Sequence, residues 1–225
     1  MAESGGVPSP SPLRVMVHRN FWPYLTGNFL SNCGAWFQNL AQDIFVYRLT
    51  GSTFLVGVVN FAQFAGVFVL APWAGSAADR FDRRRLLIAT QVGAVVVSGM
   101  LALLTRAGLA TAPVVIVMAL ALGLTTAFAV PAMQALVPLL VDPHELSAGV
   151  ALNSLTFNLA RAVGPVLAAV VIHQLGLAAA FGLNSLSYLA LIGGLALVRP
   201  APQQPPAAER PRLRDSVVLV RRNAR

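Results

Sequence analysis

The chain has 225 residues, 56% hydrophobic and 11% charged, with a mean hydropathy of +0.70. A soluble domain carries roughly a quarter charged residues, so this composition excludes one water-soluble core and points to a bilayer as solvent. The net charge of +8 rests on sixteen basic residues, all arginine; without lysine there is no P-loop, Schiff-base or kinase-type chemistry.

Residues 1–20 open Ser/Pro/Gly-rich and read as a disordered cytoplasmic N-terminus. They lack a cleavable signal pattern, so the first apolar span is read as retained. Six spans follow, at 21–48, 53–75, 86–105, 112–137, 146–172 and 178–198, each long enough for a hydrocarbon core about 30 Å thick. The expected fold is all-α: a polytopic membrane protein whose six transmembrane helices occupy 21–198. Residues 199–225 are expected to be a cytoplasmic Pro/Gln/Ala-rich linker and the start of an amphipathic surface helix. The single cysteine, Cys33, excludes an intrachain disulfide and reads as a packed thiol.

The first span carries a polar stripe. At 100° per residue Asn28, Ser31, Asn32, Gln38, Asn39, Gln42 and Asp43 share an arc of roughly 140°. Facing lipid, so many amides would be costly; they must face protein or a watery cavity. For a single amide, interhelical bonding and substrate contact stand level; the stripe as a whole reads as a cavity wall. Asp43 is the one acid inside a span and a candidate for proton coupling or cation recognition.

Between the second and third spans lies a basic hinge, Gly75-Ser76-Ala77-Ala78-Asp79-Arg80-Phe81-Asp82-Arg83-Arg84-Arg85. With the N-terminus inside, Arg14, Arg19, Arg80, Arg83, Arg84, Arg85, Arg199 and the six arginines from Arg210 to Arg225 are cytoplasmic, and only Arg48 and Arg106 are outside. This asymmetry predicts a multi-pass inner-membrane protein with a cytoplasmic N-terminus. It accounts for the basic charge through topology and lipid headgroups, with no nucleic-acid partner.

Pro131 in the fourth span is a predicted flex point. Asp142-Pro143-His144-Glu145 predicts an N-cap, a proline at N1 and a capping glutamate opening helix five. Ala148 breaks the spacing of a helical zinc protease, and no metal or other cofactor is expected. Arg161 lies mid-span on one face with Ser154 and Asn158. Two readings stand level: it meets an anionic substrate group or tunes the coupling acid, or it pairs with backbone or amide oxygens. Gly164 and Pro165 follow as further flex points. No nucleophile–base set marks a catalytic residue, so an enzyme is not expected.

Gly75, Ala78, Asp79, Arg80, Arg83 and Arg84 resemble the signature loop between helices two and three of the major facilitator superfamily, G-x-L-A-D-R-x-G-R-R, with Ala77 and Asp82 as departures. The stretches Trp36-Phe37-Gln38, Ala41-Gln42-Asp43, Leu49-Thr50-Gly51-Ser52, Pro131-Ala132, Ala151-Leu152-Asn153, Asn158 to Pro165 and Phe181 to Tyr188 are similar to the enterobactin-exporter-like branch of that family. Ala129 and Met133 stand where an acid and an arginine often flank the helix-four proline; Ala168-Ala169 stands where antiporters carry a double glycine. The resemblance implies a proton-coupled permease exporting drug-like or siderophore-like small molecules. In it Asp79 with Arg83 or Arg84 would latch two six-helix halves at the cytoplasmic face. This chain resembles the N-terminal half, so a C-terminal six-helix partner is expected beside the lipid bilayer, the substrate and protons. The alternative is a truncated, non-transporting fragment or a half-subunit that needs a partner chain.

Overall fold

The computed structural model describes residues 19–201. The expected tail segments, Arg14 and the arginines from Arg210 onward lie outside these residues. Among the described residues there are six α-helices: α1 (Trp22–Thr50), α2 (Thr53–Arg80), α3 (Arg83–Arg106), α4 (Ala112–Leu136), α5 (Leu146–Leu175) and α6 (Leu177–Leu197). The chain is an all-α polytopic membrane protein. Five of the helices are long and apolar enough to cross a membrane. The first, α1, has the length, 29 residues or about 43 Å at 1.5 Å per residue, and falls outside that five because of its polar stripe.

Short connections make successive helices antiparallel. Gly51, at φ 65, ends α1 in the left-handed conformation and donates its N–H to the Tyr47 carbonyl. Ser52 then caps α2 by accepting from the Leu55 N–H at 3.3 Å. The hinge differs most from expectation. It is helix at both ends: α2 continues to Arg80, α3 starts at Arg83, and the turn is Phe81-Asp82 alone. The reason is local, since Asp82 Oδ1 accepts from the Arg85 N–H at 2.7 Å and restarts a helix at once.

The capping box before helix five does not form. Asp142 makes no side-chain cap, Pro143–Glu145 is a 3₁₀ turn, and α5 begins at Leu146. Glu145 points into the bundle instead, 2% exposed, with Oε2 unbonded. A capping glutamate must reach back to the N-cap N–H; here the 3₁₀ turn carries the side chain inward.

The heaviest packing joins α2 to α4, α1 to α6, α3 to α6, α1 to α5 and α3 to α4. Exchanging α1 with α4, α2 with α5 and α3 with α6 maps α1–α5 onto α2–α4 and α1–α6 onto α3–α4, and leaves α3–α6 in place. Two inverted three-helix repeats give this pattern. Glycines set the closest crossings: a Cβ on Gly123 of α4 would sit 2.0 Å from the Gln63 carbonyl oxygen of α2, and one on Gly194 of α6 would sit 2.2 Å from that of Pro23 in α1.

Because backbone lies behind both contacts, these sites have no side chain that can yield. Gly123→Ala is expected to destabilise the detergent-solubilised chain by about 2 kcal/mol, the usual cost of overpacking. Gly193→Ala, which meets nothing within 4 Å, is expected to be neutral or to stabilise by up to about 1 kcal/mol through helix propensity. Equilibrium unfolding of the two variants side by side checks both signs.

Candidate functional site

The stripe on α1 divides by depth. Gln38 and Gln42 are sealed in the interior. Gln38 Nε2 donates to Gln42 Oε1 one turn on. Gln38 Oε1 accepts from Ser98 Oγ of α3 and from Asn184 Nδ2 of α6, both at 3.2 Å, and Asn184 Nδ2 also reaches Ser98 Oγ at 3.1 Å. One amide thus joins three helices. Of the two readings open for a single amide, interhelical bonding describes what Gln38 does, because Ser98 and Asn184 supply its partners.

Toward the Asp43 end of the stripe the network reaches α2. Gln42 Nε2 donates to Gln63 Oε1 at 3.3 Å, and Gln63 Nε2 donates to Asn39 Oδ1 at 3.2 Å. Asp43 Oδ1 accepts from Asn60 Nδ2 at 2.8 Å. Asn39, Asp43, Asn60 and Gln63 are all half-buried, so this end stays open to a second face. Toward the arginine-rich end, Asn153 Oδ1 of α5 accepts from both Tyr24 OH (3.1 Å) and Asn28 Nδ2 (3.0 Å), and Asn32 Nδ2 donates to Asn28 Oδ1 at 2.9 Å. Asn28 and Ser31 are buried; Asn32 is half-buried.

Arg161 and Asn158 stand apart from this network. The buried ridge of α5 is Leu152, Thr156, Ala160, Gly164 and Ala168; Ser154, Asn158 and Arg161 lie on the opposite, exposed side. Asn158 Nδ2 bonds the Ser154 carbonyl at 2.9 Å. Among the described residues Arg161 has no hydrogen-bond or ion-pair partner, and it lies at the midpoint of a 30-residue helix.

The basic hinge is tied into its own bundle. Arg84 Nε donates to the Leu195 carbonyl at 2.6 Å and its Nη2 to the Ala196 carbonyl at 3.0 Å, closing the C-terminus of α6. Arg83 Nη1 donates to the Ala135 carbonyl at 3.2 Å, at the C-terminus of α4. Cations there meet unsatisfied carbonyls and the negative end of the helix dipole. Asp79 and Arg80 are exposed, and a Cβ on Gly75 would meet nothing within 4 Å. Of the flex points, Pro131 and Pro165 sit within unbroken helices, as does the unanticipated Pro72. Gly164 is a contact point, its missing Cβ leaving room for Trp36 at 2.5 Å. Asp142, His144 and Glu145 bring ligand-type atoms within 4.8 Å of one another, Asp142 and His144 on an exposed turn.

Asn60, Gln63, Ser98, Asn153 and Asn184 were not singled out as site residues. Their signal was available: each is an amide or hydroxyl in an otherwise apolar span, and inside a membrane such groups seek one another.

Six membrane-length helices, a polar seam and, among the described residues, a mid-span arginine without a partner define a polytopic α-helical membrane protein. The sequence profile of the transmembrane secretion effector family matches residues 8–218, and the chain belongs to that family, within the major facilitator superfamily. It is similar to the staphyloferrin A transporter of Staphylococcus aureus, with 30% identity over 150 residues, 66% of this chain and 38% of that protein. The match therefore covers well under half the length of that curated relative.

Removing the Arg84 guanidinium leaves the carbonyls ending α6 without their charged donor, at a cost of about 1.5–3 kcal/mol for a charged hydrogen bond. Arg84→Ala is expected to speed amide hydrogen exchange at residues 195–199 while leaving α5 unchanged. Unaltered exchange there would mean that the cap does not hold the helix end.

Proposed function

We propose that the chain is the N-terminal six-helix half of a proton-coupled permease that exports drug-like or siderophore-like molecules by alternating access. Arg161 carries this reading. An arginine at the bilayer centre costs about 2.5–3.5 kcal/mol even on insertion scales. Its face on α5 must therefore be turned to protein or to a water-filled cavity, and within the described residues nothing covers it. A second six-helix unit would close that face and place Asn158 and Arg161 at the midplane, where such carriers bind solute. The half-buried Asn32, Asn39 and Asp43 would line the same route, with Gln38 and Gln42 bracing them from behind. The open space at Gly75 and the exposure of Asp79 and Arg80 support a latch against that unit at the cytoplasmic face.

In this reading residues 21–198 are the transporting bundle, and 1–20 and 199–225 lie on the cytoplasmic side of the inner membrane. The arginine asymmetry supports that orientation. Outward transport draws support from the family description, and a siderophore-like substrate from the relative's name. The second reading is a membrane module that does not transport, which the internally bonded hub around Gln38 would equally serve.

Uptake of lipophilic dyes and a siderophore into inverted vesicles separates the two. The chain alone is expected to be inactive and co-expression with a matching C-terminal half to give proton-dependent accumulation; inactivity with every such half favours the second reading. In the active pair, Asp43→Asn is expected to lose at least about ten-fold of the gradient-driven rate, equivalent to ~1.4 kcal/mol in the barrier, and Arg161→Ala to abolish transport at unchanged membrane expression. Unchanged rates in both variants would remove these residues from the route.

A further inference from the structure

At the arginine-rich end of the bundle, α1 stands out as a ridge of Trp22, Thr26 and Leu30 with a groove along each flank. One groove, about 230 Å³, runs against α5 and is walled by Leu25, Phe29, Leu155 and Leu159. The other, about 300 Å³, runs against α6 and is walled by Leu30, Ala190 and Leu197. Both grooves share Trp22 and Thr26. The first is almost wholly apolar and the second mainly so, and the Thr26 hydroxyl is already given to the Trp22 carbonyl at 2.7 Å. At 100° per residue, the ridge centre near Thr26 lies roughly 120–160° around the helix from Asn32 and Asn28. The ridge therefore faces away from the polar seam, on the side of the bundle that meets hydrocarbon.

Two cations lie close in sequence to the groove walls, Arg19 three residues before Trp22 and Arg199 two after Leu197. Asn20 Nδ2 donates to the Arg199 carbonyl at 3.0 Å, and the Arg199 N–H donates to Asn20 Oδ1 at 3.2 Å. This clamp draws the segment leaving α6 against the segment entering α1. It brings Arg19 and Arg199, both exposed, to within a residue of one contact point. Among the described residues neither has a carboxylate partner. Trp22, half-exposed one turn deeper, occupies the depth that tryptophan prefers at a membrane interface.

We propose that this face is a binding site for one anionic diacyl phospholipid, its phosphate held by Arg19 and Arg199 and its two acyl chains laid in the two grooves astride Trp22 and Thr26. Two apolar grooves flanking one ridge, next to a clamp that draws two cationic residues together, match two tails on one charged head. A single-chain amphiphile would fill one groove and leave the other empty. The charge complements anionic lipid, which arginines near a membrane surface attract. This site is independent of the transport reading.

The test uses the full chain with Trp36→Phe and Trp73→Phe, so that Trp22 alone reports. The chain is reconstituted in phosphatidylcholine vesicles carrying an equal fraction of either brominated phosphatidylglycerol or brominated phosphatidylcholine. Trp22 fluorescence is expected to be quenched by the anionic lipid as though it were enriched about five-fold at the ridge. Arg19→Gln with Arg199→Gln is expected to abolish the difference, and Arg85→Gln, at the α2–α3 turn, to preserve it. Equal quenching by both lipids, a preference that survives the double substitution, or one lost equally in Arg85→Gln would overturn the proposal. Absence of quenching by either lipid would also overturn it, by showing the ridge covered by protein. Native mass spectrometry of the chain with its tryptophans intact gives a second reading: a retained phosphatidylglycerol that disappears in the double arginine variant supports the site, and equal retention by both chains sinks it.

Discussion

A side-chain amide placed among lipid-facing helices has no water to fall back on, and this chain puts several on one helix. A buried donor or acceptor left unsatisfied costs about 1–3 kcal/mol, while one interhelical bond in a membrane returns only about 0.6 kcal/mol on average. The asymmetry means that α1 gains little from each bond and loses much from any gap. Its neighbours are placed accordingly. Gln38 can lie in the interior because Ser98 and Asn184 reach it from two other helices, and α1 in turn must sit between α5 and α6 with α2 alongside. The arrangement of the bundle follows from keeping that helix satisfied.

Close helix approach is the second requirement, since side-chain amides span only a few ångströms. Gly34 shows the link directly: a Cβ there would lie 2.0 Å from Ser187 Oγ and 2.7 Å from Asn184 Oδ1. Its absence is what lets α6 bring Asn184 to Gln38. Gly27 of α1, whose Cβ would lie 2.8 Å from the Leu191 Cα, and Gly194 of α6 extend the same seam toward the arginine-rich end. Small residues and amides therefore act as one device, the first setting the distance and the second making the bonds. The inverted repeat maps this seam onto the α3–α4 pair, where the contact is looser, a Cβ on Gly93 lying 3.0 Å from Thr125 Cγ2; the tight Gly66–Gly123 crossing of α2 and α4 is the counterpart of α1–α5.

Hydropathy and charge made six helices legible, because a span of 20 or more apolar residues has few other uses. The polar stripe was legible too, as a face. Its destination was not, because a helical wheel gives direction without neighbours; whether Gln38 meets water or Ser98 depends on which helix packs there. The basic hinge misled in the same way. Its composition resembles a loop, yet Asp82 restarts helix after two residues, and Arg83 and Arg84 find carbonyls 52 and 111 residues away. Glu145 fitted a local capping pattern and instead lies buried. Local motifs describe what a residue can bond; the partner is chosen by tertiary packing.

What the bundle satisfies internally and what it leaves over can now be separated. Gln38, Gln42, Ser98 and Asn184 find their partners inside the bundle, Gln42 through Gln63 of α2 as well as Gln38. Arg161 does not: it is mid-helix, exposed, and unpaired among the described residues. The same physics that drives the hub inward disfavours leaving a guanidinium in hydrocarbon, and this is the ground for the proposal that the face of α5 carrying Asn158 and Arg161 meets a second unit. The apolar ridge of Trp22, Thr26 and Leu30 is the opposite case, a surface with nothing polar to satisfy and lipid as its natural neighbour. The two faces give the bundle an inside and an outside before any second unit is considered.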